Sequence, residues 1–326
     1  MGRIVWIDIA KALCIVLVVI GHYYPDTHPM WYEEMRSVIY TFHMPLFMFT
    51  SGYIYMATKK KETYADFIWR KVKRLMIPYI TVSTIIVTIK LCTQDRVYVE
   101  NPVTTLSYLK IFYLPEAGYF LWFIWALWWM FILIPLFRSP LSRLGLLIVA
   151  FLLPLTAQHM SEFFCLNKFS EMLQYFVLGV VIYDWRQFLL VLKHIHLLFC
   201  CIAFFVIDIL PNLSGGGGNS FFAAFMGIAF ILRVSYSLKD YVMNFALGKH
   251  VLLISAASYI IYLLHTTFEG FAKALILKFP YLSDLSNDIM FCIGAVLVIS
   301  TGMIVPILLY KYVIGRYAIT KMLFGL

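Results

Sequence analysis

Apolar runs of membrane-crossing length recur from one end of the chain to the other, and no polar stretch between them is long enough for a soluble domain. A hydrocarbon layer about 30 Å thick needs about 20 apolar residues in a helix. Inside it, backbone groups have no water to bond, so only helices and closed barrels can cross. The runs lie near 4–23, 37–57, 76–92, 118–137, 142–158, 170–185, 193–210, 220–237, 250–268 and 289–312. The chain therefore reads as all-α, a polytopic bundle of about ten transmembrane helices forming one integral-membrane domain over 1–326. Composition agrees, with 62% of residues hydrophobic and only 13% charged, roughly half the charged share of an average soluble domain. The first run reads as a retained span, because it is too long for a cleavable signal and carries Asp8 and Lys11.

Charge placement orients the bundle. When the loops are numbered alternately, eighteen Lys and Arg fall on the side of the amino terminus and six on the other. The positive-inside rule then places both termini in the cytoplasm of a multi-pass protein of the cell (inner) membrane. The net charge of +9 is thereby a topology signal in contact with membrane lipids, and it requires no nucleic-acid partner. The six cysteines show no metal-ligand spacing, and most lie in apolar runs where a thiol behaves as a small hydrophobe.

Ionisable groups inside a span are costly and mark an interior or wet site. Within IVWIDIAKALCIVLVVIGHYY, Lys11 and His22 are eleven positions apart, so they differ by only about 20° around a helix. Asp8 lies on nearly the same stripe, one turn before Lys11. The second run opens TFHMPLFMFTSGYIY, where Pro45 removes a helical hydrogen bond near His43. Ser51, Gly52 and Tyr53 then mark a point where helices can approach closely. The ninth run, SAASYIIYLLHTTF, puts Ser258, Tyr262 and His265 on one face. With the orientation above, His22, His43 and His265 all fall in the outer half of the membrane. Each also has a plainer reading: interhelical hydrogen bonds for His43 and His265, an interfacial position for His22, and snorkelling beside Asp8 for Lys11. A three-histidine metal site would need a geometry that the sequence does not specify, and no metal is assigned.

Residues 62–75 form an amphipathic basic helix with Phe67, Ile68, Val72 and Leu75 as its apolar stripe, expected to end at Pro78. Its RKVKR segment fits either anionic lipid headgroups or a phosphate clamp for a polyanionic cofactor such as coenzyme A. The aromatic stretch 119–131 holds Trp122, Trp125, Trp128 and Trp129. Interfacial anchoring is the default for such residues, and Trp122 is a candidate for flanking a ligand, including a sugar. The segment PNLSGGGGN at 211–219 reads as a flexible outer loop.

Taken together, WIDIAKALCIVLVVIGH (6–22), FHMPLFMFTSGY (42–53), RLMIPY (74–79), LWF (121–123) and SYIIYLLH (258–265) resemble the integral-membrane acyltransferase family 3, closest to its fucose 4-O-acetyltransferase-like branch. The resemblance covers nearly the whole chain. It implies about ten membrane helices and transfer of an acyl group, usually acetyl from acetyl-CoA, to a hydroxyl of an envelope carbohydrate. The family's basic residue and histidine separated by ten positions map onto Lys11 and His22, with Lys in place of the commoner Arg. Its Arg-x-x-Arg donor motif has no strict copy, and Arg70 with Lys73 or Lys71 with Arg74 fits loosely. The expected catalytic group is thus His22 with Lys11, Asp8, His43, Ser51 and His265. Lys11, Arg70, Lys71, Lys73 and Arg74 are expected to bind the donor, and Trp122, Tyr259 and Tyr262 the glycan acceptor. A homo-oligomer is compatible with this reading. Two rival classes share the polar stripe and aromatic lining: an exporter or flippase of a polysaccharide or lipid-linked sugar, and a ligand-binding sensor.

Overall fold

The computed structural model describes residues 3–96, 99, 101–186, 196–213, 220–245, 247–276, 278 and 288–326. Among them every regular element is helical. In chain order these are α1 (Val5–His22), α2 (Met30–Ala57), α3 (Tyr64–Lys71), α4 (Ile77–Thr93), α5 (Ser107–Lys110), α6 (Trp122–Leu133) and α7 (Pro140–Leu152). Then come α8 (Leu166–Asp184), α9 (Leu197–Phe204), α10 (Ser220–Asn244), α11 (Leu247–Ile276), α12 (Asp288–Leu309) and α13 (Ala318–Leu323).

Eight described stretches are long and apolar enough to cross a membrane: Val5–His22, Tyr64–Thr93, Tyr119–Leu136, Pro140–His159, Phe163–Asp184, Phe221–Asn244, Gly248–Ile276 and Asp288–Ile314. The other two expected spans are helical but differ in kind. α2 carries Glu33, Glu34 and Arg36 near its start, and the apolar helix Leu197–Asn212 is short. The start of that run, with Lys193, lies outside the described residues, as does the glycine stretch 214–219. Ahead of the glycines the chain is not a loop: it passes through a π-helical turn at Phe205–Ile209 into a last helical turn, Leu210–Leu213.

The amphipathic helix does not stop at Pro78 either. α3 passes through a π-helical turn at Val72–Met76 directly into α4, with Pro78 in the first turn of α4. A π turn shifts the bonding pattern by one residue, and proline is tolerated in a first turn where its missing N–H breaks no ladder. The carbonyl of Arg74, four residues before Pro78, is instead covered by the end of the chain. Gly325 has φ +73°, and a Cβ there would lie 2.5 Å from that oxygen and 2.8 Å from Pro78 Cγ, so only glycine fits.

The chain divides into two compact units, Met1–Thr50 with Trp185–Leu308 and Ser51–Asp184 with Leu309–Leu326. In the first, α1 lies between α10 and α11, and α9 packs on α10. α1 is buried at Ile7, Ile9, Ala10, Ala12, Cys14, Ile15, Val18 and Val19, which is more than one stripe and makes it a central helix. Gly227 of α10 lets Phe42 of α2 press against its backbone, since a Cβ there would lie 2.4 Å from the Phe42 side chain.

In the second unit α8 packs against both α6 and α7. Gly52 provides the close approach expected of it: a Cβ would sit 2.0 Å from the carbonyl oxygen of Phe176 on α8. Arg143 of α7 is fully engaged. Its Nη1 donates to both carboxylate oxygens of Asp184 at 2.7 and 2.6 Å, its Nε to the Phe137 carbonyl and its Nη2 to the Arg138 carbonyl. Both side chains are buried, and breaking such a pair strands the surviving charge at a cost of about 3–5 kcal/mol. Asp184→Ala should therefore lose about that much stability in detergent unfolding curves, and the Arg143→Met, Asp184→Leu double variant should regain most of it.

Candidate active site

The carboxyl end of α1 is where side chains from other helices converge. The last carbonyls of any helix lack intrahelical donors, and here α2 supplies them. The Tyr32 hydroxyl donates to the Ile20 carbonyl at 2.6 Å. Arg36 Nε and the Tyr40 hydroxyl both donate to the Gly21 carbonyl, at 3.0 and 3.3 Å. The Arg36 guanidinium is sandwiched by the rings of Tyr24 and Tyr40, at 3.9 and 4.5 Å, an arrangement in which each ring face attracts the cation. His22, the last residue of α1, is thus carried on a turn fastened from three directions.

The three imidazoles that the sequence set at a similar depth do gather there. The rings of His22 and His265 meet edge to face with centroids 5.0 Å apart. The Tyr40 ring lies 6.4 Å from His22 and 4.7 Å from His43. His43 and His265 are enclosed, whereas His22 keeps partial exposure. His43 Nδ1 bonds the Ile39 carbonyl at 2.8 Å, and His265 Nδ1 bonds the carbonyls of Ile261 and Tyr262 at 3.0 and 2.9 Å. A carbonyl accepts only, so each Nδ1 carries the hydrogen, and in the neutral ring Nε2 holds the lone pair. Tyr262 is buried with its ring 6.4 Å from that of His265, and Ser258 is buried on the same helix. Tyr259 is a neighbour of Ser258 in sequence on α11 and is half-buried.

At the opposite end of α1, Asp8 and Lys11 both meet Ser255 of α11. The Ser255 hydroxyl donates to Asp8 Oδ1 at 2.7 Å, Lys11 Nζ donates to the Ser255 carbonyl at 3.2 Å, and Arg3 Nε donates to Asp8 Oδ2 at 2.7 Å. The contacts from Asp8 to Ser255 and from His22 to His265 advance together along both helices, so α1 and α11 run in the same direction. That matches the expectation for first and ninth spans. About 16 Å of helix separates Lys11 from His22 at 1.5 Å per residue, so the two share one stripe but not one contact zone.

Ser51, the basic stretch and Trp122 belong to the second unit. Arg70 is ion-paired with Glu62, with Nε 3.2 Å from Oε2. Lys71 stows its ammonium 3.3 Å over the Phe131 ring, and Lys73 lies 5.4 Å from the ring centre of Trp69. Lys73 and Arg74 are exposed, so their charges are the ones presented most openly. Trp122 is buried at the start of α6, edge-on to Phe123 at 6.2 Å.

Residues 4–311 match the family described as an acyltransferase domain. The chain belongs to that acyltransferase family. Two curated relatives are both called nodulation protein NolL. The one from Mesorhizobium japonicum is 31% identical over 148 residues, covering 44% of this chain and 38% of the relative. The one from Sinorhizobium fredii is 31% identical over 182 residues, covering 51% and 48%. The chain thus spans less than half the length of these relatives. No solved structure matches.

Several residues of this site escaped the sequence reading. Arg36 counts there only as an outer-loop charge, and Tyr32 and Tyr40 look like interfacial aromatics. Ser255 is three residues before Ser258, one turn below the face already singled out. Asp208, alone in the apolar run FFVIDIL, is fully buried and accepts from Thr41 Oγ1 at 2.8 Å and Asn212 Nδ2 at 3.1 Å. An acid inside an apolar run was the available signal for it. If the α2 hydroxyls hold the turn that carries His22, Tyr32→Phe should cost about 1 kcal/mol of stability, which thermal unfolding of the variant beside the parent protein would show.

Proposed function

We propose that the protein is a membrane-bound O-acyltransferase that moves an acyl group, most simply acetyl, from acyl-CoA in the cytoplasm to a hydroxyl of an envelope carbohydrate. The observation that carries this reading is the partly exposed His22 imidazole set against His265 on a tightly fastened helix end, in a chain of the acyltransferase family. A neutral imidazole holds a lone pair that can accept a hydroxyl proton. His22 removes the proton of the acceptor hydroxyl as that oxygen attacks the thioester carbonyl. The tetrahedral intermediate then collapses, the carbon–sulfur bond breaks, and the leaving thiolate takes the proton back from the imidazolium. The developing oxyanion needs donors; the Tyr262 hydroxyl is the candidate in the first unit, whereas neutral His43 and His265 have committed their only N–H to helix carbonyls. Asp8 and Ser255 hold the lower part of α1 in register, and Lys11 supplies positive charge on the cytoplasmic side.

The donor is a substrate whose phosphates suit the charges of Arg70, Lys71, Lys73 and Arg74. Arg70 is already partly neutralised by Glu62 and Lys71 is stacked on Phe131, so Lys73 and Arg74 carry most of this attraction. Within the first unit, Tyr259 and Tyr262 offer aromatic surface for a sugar ring.

Three outcomes test the reading. His22→Ala should abolish ester formation on envelope glycans, seen by mass spectrometry as loss of one acyl mass per modified unit, while expression and unfolding temperature stay unchanged. Neutralising Lys73 and Arg74 together should raise the donor KM about tenfold, which corresponds to about 1.4 kcal/mol, with little change in acceptor KM. Glycan or lipid-linked sugar crossing the membrane with no acyl-CoA consumed would overturn the proposal in favour of an exporter.

A further inference from the structure

One buried acid takes no part in the scheme so far. Glu269 lies on α11 four residues beyond His265, one turn further along the same face. Its side chain is 5% exposed, and its Oε1 has no hydrogen-bond partner among the described residues. On the neighbouring turns of α11 and α12, Ala272, Ile276, Ala295, Val298 and Ile299 belong to or pack on an apolar cluster. A carboxyl oxygen left without a partner in such surroundings costs several kcal/mol, and a leucine would fill the space without that cost.

The structure makes room for this acid deliberately. Gly302 of α12 faces it, and a Cβ at that position would lie 2.8 Å from Glu269 Cγ and 2.9 Å from Oε1. Any larger residue would push the carboxyl away. The other buried acid of this unit, Asp208, behaves in the opposite way, with both oxygens bonded by Thr41 and Asn212. Asp208 is a structural acid, whereas Glu269 keeps an acceptor in reserve.

We propose that Glu269 is an acceptor-binding residue, whose Oε1 accepts a hydrogen bond from a sugar hydroxyl adjacent to the one being acylated. This rests on the acyltransferase reading and on the outward direction that charge placement predicts for α11. One turn past His265, about 6 Å further along the helix, is the side from which an envelope glycan arrives. Carboxylates accept from two directions at once and so suit vicinal hydroxyls. A site that relies on such a bond rejects molecules lacking the hydroxyl, because the buried oxygen is then left unpaired.

The test uses the full-length protein in lipid nanodiscs, with acetyl-CoA as donor and alkali-treated, ester-free envelope glycan as acceptor. Thiol release is measured with and without the glycan. Glu269→Gln should raise the glycan KM at least tenfold while leaving the acetyl-CoA KM and the slow glycan-independent hydrolysis within twofold. Gly302→Ala, which keeps the acid but displaces it, should shift the glycan KM in the same direction, and Glu269→Asp should fall between Gln and the parent protein. An unchanged glycan KM in both variants overturns the assignment while the parent enzyme still transfers. Equal loss of hydrolysis and transfer, together with a lowered unfolding temperature, also overturns it, in favour of a packing role. A parent protein that neither releases thiol nor esterifies the glycan overturns the acyltransferase reading itself, and the assignment with it.

Discussion

The ionisable side chains that α1 carries into the bundle each meet a partner on α11, and this pairing sets the register on which the rest of the first unit is arranged. Hydrocarbon offers no water to satisfy a stray carboxylate, ammonium or imidazole, so the helix that carries them cannot rotate or slide freely. Asp8 and Lys11 engage Ser255 at one end and His22 meets His265 at the other. Two polar contacts on the same pair of parallel helices fix both their rotation and their stagger. Apolar packing alone would tolerate slips of a turn, because lipid tails are as greasy as the leucines they replace.

Rigidity at the site follows from the same need for partners. The last turn of α1 exposes carbonyls that a helix cannot satisfy internally, and Tyr32, Arg36 and Tyr40 bond them. The hydrogen bonds that hold the helix end therefore also hold the backbone from which its last side chain projects. His43 and His265 each commit Nδ1 to a carbonyl of their own helix, which fixes the tautomer without a carboxylate partner. Both rings are thereby held in one orientation within the bundle. Glu269, with Gly302 clearing space for it, extends the polar line by one turn.

The second unit handles charge differently. Its cations lie along a helix that stays continuous through a π turn, and aromatic rings and Glu62 take up part of their charge. The Lys71 ammonium lies over the Phe131 ring face, which offsets part of its desolvation cost. Arg143 and Asp184 form a closed pair with every guanidinium donor type engaged. That pair is built for holding α7 and α8, and its charges are spent on each other.

Much of this was legible in the sequence because it rests on local rules. Run length and hydropathy determine the all-helical membrane class, and helical periodicity puts Asp8, Lys11 and His22 on one stripe. The small residue Gly52 marked a close helix approach that the Phe176 backbone fills. Pro78 misled, because a proline's effect depends on the turn before it, and the π turn at Val72–Met76 with Gly325 against the Arg74 carbonyl is a nonlocal arrangement. Arg36 and Glu269 were hidden for the same reason: one is a loop charge and the other a stray acid until the helices beside them are known. The sequence by itself determined which segments are apolar and helical and which faces carry polar groups, since both follow from the hydrophobic effect and the pitch of a helix. Only the tertiary structure decided which polar groups meet, since hydrogen bonds are short and directional and depend on how the helices pack in three dimensions.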